Sequence, residues 1–138
     1  RQAAEFSRAY AMQRVAFGRP IAHHQALAFL IADMRSAVDG ARLLLHEAAW
    51  HADQGLPFET LAAAAFAEAI EVSGFVAPNG IQILGGHGFM QDYPVEKYAR
   101  EARALGLLLG GIDLAREDAG RALAASEGPV ALSSGEAR

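Results

Sequence analysis

The chain contains no cysteine. That excludes disulfides, thiolate metal sites and a cysteine nucleophile, and it leans to a cytoplasmic setting. Basic residues are few and scattered: 12 Lys and Arg stand against 16 Asp and Glu, for a formal net charge of -4. Without a cluster of cations there is no electrostatic footprint for nucleic acid or anionic lipid. Long apolar runs are scarce as well. LAAAAFAEAI and LGLLLGG are the most apolar windows, far short of the roughly 20 residues that cross a bilayer. Neither opens the chain behind a basic segment, so the expectation is a soluble protein without a membrane span. No serine has a Gly-x-Ser-x-Gly frame or a base close by, which leaves acyl transfer through serine unsupported. No stretch alternates with period two long enough to read as a strand, and no internal repeat is visible.

What remains is helix. With 138 residues, 52% of them hydrophobic, the chain can bury one core and hardly two. Phe6, Tyr10, Met12 and Phe17 sit at helical spacing until FGRP ends the run. Leu27, Leu30, Met34, Val38, Ala41, Leu45 and Ala48 recur at steps of three and four, which predicts a helix reaching about residue 54. Roughly thirty residues at about 1.5 Å each make a rod of about 45 Å, and such a rod packs beside others. After Gly55 and Pro57 a third helix is expected over 58–84, on the stripe Phe66, Ile70, Gly74, Ala77, Ile81 and Leu84, with a kink at Pro78. GGHGF reads as a turn. Asp92 before Pro94 opens a shorter helix to about residue 105, with Glu96 and Arg100 spaced to pair, and a last helix covers about 112–125. The architecture is all-α, an up-and-down bundle of long antiparallel helices. Its domain covers residues 1–126, followed by a polar tail over 127–138 that need not be ordered. RQAAEFSRAYAMQR is helix-like from its first residue with no start signal, as in a piece of a longer polypeptide.

Few residues invite chemistry. HEAAWH, from His46 to His51, is one residue too long for a zinc pair, because positions five apart lie about 140° apart around a helix. His23 and His24 are adjacent and point to different sides, so no metal site is expected. GGHGF follows a helix rather than a strand, which removes the dinucleotide reading of a glycine turn and leaves a structural turn or an anion cradle. Arg14 either clamps a phosphate or is a charge at a helix end. ALGLLLGG, between two charged segments, carries no group that could hold a proton or a metal.

Three stretches taken in order add a resemblance. YAMQRVAFGRPIAHHQALAFLIADM, the helical pair ending AAWHADQG, and IQILGGHGFMQDYPVEKYAREAR are together similar to the C-terminal helical domain of the flavin-dependent acyl-CoA dehydrogenases. FGRPI, Gln25, LGGHGF and YPVEK in this order carry it. The resemblance implies an N-terminal helical domain and a middle β domain elsewhere in the polypeptide, FAD as cofactor, and assembly as a homo- or hetero-oligomer, a dimer or tetramer. It implies an acyl-CoA substrate and an electron acceptor such as electron-transfer flavoprotein. It assigns Arg14 to a cofactor phosphate, Phe17 to the flavin site and Gln25 to cofactor holding, with Gln82, Gly85, Gly86 and Gly88 as a second contact.

The family reaction takes a proton from the α-carbon of the thioester and moves the β-hydrogen to flavin as hydride, which requires a carboxylate at the α-carbon. In many members that glutamate precedes Gly-Thr. Counted without gaps from Arg100, Leu109 stands at its place, with Gly110 and Gly111 after it. No catalytic residue is therefore assigned. Glu101, Asp113 and Glu117 are the nearest carboxylates, and none inherits the role naturally. In relatives of the isovaleryl-CoA type the base precedes the position of Arg1. Three functions follow: part of a working dehydrogenase with its base upstream, a non-catalytic subunit pairing with a catalytic one, or a cofactor-free helical assembly module.

Overall fold

The computed structural model describes residues 1–125. The polar tail over 127–138, and Ser126, Ser133 and Ser134, lie outside the described residues. Five helices occupy the rest: α1 (Gln2–Gln13), α2 (Gln25–Asp53), α3 (Glu59–Leu84), α4 (Val95–Leu105) and α5 (Gly111–Ala125). The all-α bundle is as the spacing predicts. α2 stops where its glycine demands: the N–H of Gly55 donates to the carbonyl of Ala52 at 3.1 Å and that of Leu56 to His51 at 2.9 Å, the paired bonds of a Schellman cap.

Two boundaries differ from expectation. α1 ends at Gln13, ahead of the glycine and proline, because Arg14 leaves the helix with ψ at 119°. The chain then pairs β1 (Val15–Ala16) antiparallel with β2 (Arg19–Pro20), Val15 opposite Pro20 and Ala16 opposite Arg19. Strands of two residues are too short to show any alternation. At α4 the helix begins after Pro94 with no side-chain cap, so Asp92 does not start it. The Glu96 and Arg100 pair forms at 2.8 Å.

Close contacts fix the helix directions. A Cβ on Gly80 of α3 would lie 2.9 Å from Ser7 Oγ and 3.1 Å from Val95 Cγ1, and one on Gly106 would lie 3.3 Å from Ile70 Cγ2. α1 and α4 therefore flank the second half of α3, with α4 running back along it. α2 and α3, joined by a short loop, pack as an antiparallel pair. The core lies among them, with Met34, Ala11, Val76 and Val95 at its centre. The Ser7 hydroxyl, fully buried, donates to the carbonyl of Ala3 at 2.7 Å.

α3 contacts all four other helices. Its buried residues are Ala65, Val76, Ala77, Gly80, Ile83 and Leu84, so of the sequence stripe only Ala77 and Leu84 are fully buried, with Ile81 packed partly buried against the core. A helix apolar on several sides carries no periodic signal of which side is inside. α3 also passes through Pro78 as one unbroken element. The expectation that no segment is long and apolar enough to cross a bilayer is corrected by length and composition: within the 31-residue segment Glu59–Phe89 an 18-residue window reaches a mean hydropathy of 1.4. Alanines and two glutamates disguised it as shorter windows. Only 17% of its most apolar stretch is buried within the chain. On α2, Leu45 is 58% exposed rather than core. It borders a mainly apolar groove of about 740 Å³ between α2 and α3.

Candidate functional site

At the end of α3 the backbone of Gly85 turns to φ 59° and the chain winds one 3-10 turn over Gly85–Phe89. Beside it stands the C-terminal end of α1. Between them lies a cavity of about 530 Å³ bordered by Tyr10, Arg14, Gly85, Gly86, His87 and Met90. The turn is pinned from across the fold. Tyr10 Oη and His87 Nδ1 share a hydrogen bond of 2.7 Å, and Tyr93 packs on both rings, 5.2 Å from His87 and 6.0 Å from Tyr10.

Arg14 is exposed, and among the described residues its guanidinium has no hydrogen-bond or ion-pair partner. A planar cation with all its donors free, beside a cavity, suits a phosphate that can be gripped by two parallel bonds. The glycines contribute less directly than a cradle of free amides would. The Gly85 N–H is already donated to the carbonyl of Gln82, closing α3. What Gly85 and Gly86 offer is room, since a Cβ on either would meet nothing within 4 Å. Gly88 serves packing: it is buried, and a Cβ there would lie 2.5 Å from the Ile81 carbonyl oxygen.

The residues assigned by resemblance thus fall into groups. Arg14, Gly85 and Gly86 share the cavity. Gln82 is exposed on the last turn of α3 and Gly88 is behind the turn, and neither borders it. Phe17 projects from the hairpin tip, 95% exposed, and Gln25 opens α2 with an exposed side chain. The two groups are tied through the backbone, where Ile21 N–H donates to the Arg14 carbonyl at 2.8 Å. Tyr10, His87 and Arg19 were not singled out as site residues from sequence, and His24 was weighed only as a metal ligand. For Tyr10 a signal existed: it precedes Arg14 by four positions and so shares its helical face.

Around Leu109, in the 3-10 turn Leu108–Gly110, the nearby carboxylates are spoken for or exposed. Glu101 pairs with Lys97 at 3.6 Å and Glu117 pairs with Arg121. Asp113 borders a cavity of about 710 Å³ that also touches Glu96 and Arg100. Arg100 donates to the Glu96 carboxylate and holds it below the usual carboxylate range. Gly110 and Gly111 both adopt positive φ, 85° and 76°.

The central helix of this small bundle ends in a glycine turn, and an exposed arginine just past the end of α1 borders the same cavity of about 530 Å³. The sequence profile described as "Acyl-CoA dehydrogenase, C-terminal domain" matches residues 1–124, and the chain belongs to that family. It is 40% identical over 97 residues to the short-chain-specific acyl-CoA dehydrogenase of Clostridium acetobutylicum, a match covering 70% of this chain and 26% of that protein. Its fold matches butyryl-CoA dehydrogenase of Megasphaera elsdenii with a TM-score of 0.86 at 34% identity, over 88% of this chain and 32% of that one. It matches a chain of the ChsE4-ChsE5 complex of Mycobacterium tuberculosis with a TM-score of 0.86 at 32% identity, over 92% and 35%. The chain therefore spans about a quarter of the length of the curated relative and about a third of the solved chains.

Proposed function

We propose that residues 1–126 form the C-terminal helical domain of a FAD-dependent acyl-CoA dehydrogenase, contributing part of the cofactor site and an assembly surface. The observation that carries this reading is the free Arg14 guanidinium beside the open glycine turn. The fit is to the diphosphate: one forked cation and an unobstructed wall suit two phosphates. The exposed Phe17 ring offers an aromatic face to the flavin, and Gln25 and Gln82 offer amides at the two edges. Gly88 acts through the shape of the turn. When bound, FAD would supply the hydride acceptor for the β-hydrogen of an acyl-CoA, the product being the trans-2-enoyl-CoA. The α-proton goes to a carboxylate supplied outside this chain, since Leu109 can accept none. An acceptor such as electron-transfer flavoprotein would take the electrons from the loaded enzyme.

Exposed Phe29, Leu43 and Trp50 on α2 and Leu123 on α5 suit burial in a dimer or tetramer. The test of the cofactor reading is Arg14→Ala in the full-length protein. The loss of one charged hydrogen-bonding group should weaken FAD retention by about 1.5–3 kcal/mol, and unchanged flavin content overturns the assignment.

One observation favours the second reading, a non-catalytic subunit of a heteromeric enzyme. Gly111, at φ 76° and ψ -168°, holds a backbone conformation that the threonine of the family pattern would adopt only under strain. Purification of the full-length protein decides between the two. Dehydrogenase turnover by a homo-oligomer supports the first, and turnover only after a second subunit is added supports the second.

A further inference from the structure

Phe17 carries the backbone strain at this end of the fold. Among the described residues it is the one non-glycine with positive φ, at 53°, and Gly18 follows at 80°. Both central residues of the two-residue hairpin turn are therefore left-handed, the type I′ geometry that Asn-Gly ordinarily fills. A bulky aromatic in that conformation persists only where its surroundings over-determine it. A ladder of two residues per strand is too small to impose it alone.

His24 supplies what the ladder lacks. Its Nε2 lies 3.2 Å from the carbonyl oxygen of Ala16, on one side of the turn. Its Nδ1 lies 3.2 Å from Nη2 of Arg19, on the other. The imidazole also meets the Phe17 ring edge to face, with centroids 6.0 Å apart at 89°. A carbonyl only accepts and a guanidinium only donates. The two contacts are satisfied together by a single form of the ring: Nε2–H donates to Ala16, and the bare Nδ1 accepts from Arg19. We propose that His24, neutral and protonated on Nε2, is a positioning residue that clips the Phe17–Gly18 turn in its left-handed form. It thereby sets the exposed Phe17 ring as a wall for the planar flavin, a role that rests on the cofactor reading above. Without the clip Phe17 relaxes to negative φ and its ring leaves that plane.

The test uses His24→Phe, His24→Gln and Arg14→Ala in the full-length protein. Phenylalanine keeps a ring against Phe17 but makes neither hydrogen bond. Glutamine keeps one donor and one acceptor at similar reach. The ¹⁵N spectrum of the His24 ring should show the Nε2–H tautomer. His24→Phe should shift the Phe17 backbone resonances and couplings away from a left-handed φ and weaken FAD binding about tenfold, and His24→Gln should restore both to within about twofold of wild type. An Nδ1–H tautomer, an unmoved Phe17 backbone in His24→Phe, or equal loss in both His24 variants overturns the clip. If Arg14→Ala weakens FAD binding and His24→Phe does not, the positioning role alone fails. If Arg14→Ala leaves binding unchanged, the cofactor reading fails, and the tautomer and the Phe17 backbone still decide whether the clip exists.

Discussion

The chain has two glycine-rich turns, each following a helix, and they are built in opposite ways. Around Gly85–Phe89 the turn is held by side chains from distant elements: Tyr10 bonds to His87, Tyr93 packs on both, and Gly88 closes on Ile81. Around Leu108–Gly110 the shape comes from the glycines' own angles, and Leu107 and Leu108 stand 78% and 55% exposed. Similar glycine density therefore yields a braced wall beside a cavity in one case and an apolar elbow in the other. What distinguishes them is the supply of polar and aromatic partners from elsewhere in the chain, which local composition does not reveal.

Breaking the braced turn should have the larger effect. Gly88→Ala places a Cβ 2.5 Å from a backbone oxygen, and a backbone clash cannot be relieved by a rotamer change. A loss of about 3 kcal/mol in chemical denaturation is expected. Gly110→Ala should cost less, about 1–2 kcal/mol, because the atoms it meets belong to the Leu114 side chain and the strain is mainly the positive φ. If Gly110→Ala proves the more damaging, the elbow is held by more than its glycines.

Tyr10→Phe sharpens the comparison without breaking it. Removal of one part-buried hydrogen bond should lower stability by about 0.5–1.5 kcal/mol, and hydrogen exchange should speed up around His87 and not around Leu108. The smallest effect belongs to the exposed pair on α4. Arg100 depresses the Glu96 carboxyl in the folded state, so the pair's stabilisation is present above the ordinary carboxylate range. It is lost as pH falls through the lowered value. An NMR titration should show Glu96 protonating below the ordinary glutamate range, and Glu96→Gln should leave thermal stability at neutral pH almost unmoved.

Much of the fold was legible in sequence because its signals are local. Gly55 and Pro57 end and restart helices wherever they occur, and the three-four spacing of Leu27 through Ala48 marks α2. The face of α3 was not legible, since Ala, Ile and Val surround it on several sides and only tertiary contacts choose Val76 and Ile83 over Ile70. The family resemblance picked out Arg14, Gly85 and Gly86, which do converge on one cavity. It gave no hint of His24, whose meaning depends on a hairpin too short to leave a pattern. Nor could composition tell Gly88, needed for packing, from Gly86, which faces open space.

The bond between Tyr10 and His87 joins residues 77 apart in the chain. The α2 and α3 hairpin closes over a few residues, and α4 follows α3 directly. Closing a long loop costs more entropy than closing a short one, so sequence-local pairs assemble first. Loop-closure entropy therefore predicts that the cavity beside Arg14 is completed late in folding, when α1 returns to the end of α3. A half-folded chain has the arginine and the glycine turn but has not yet brought them together.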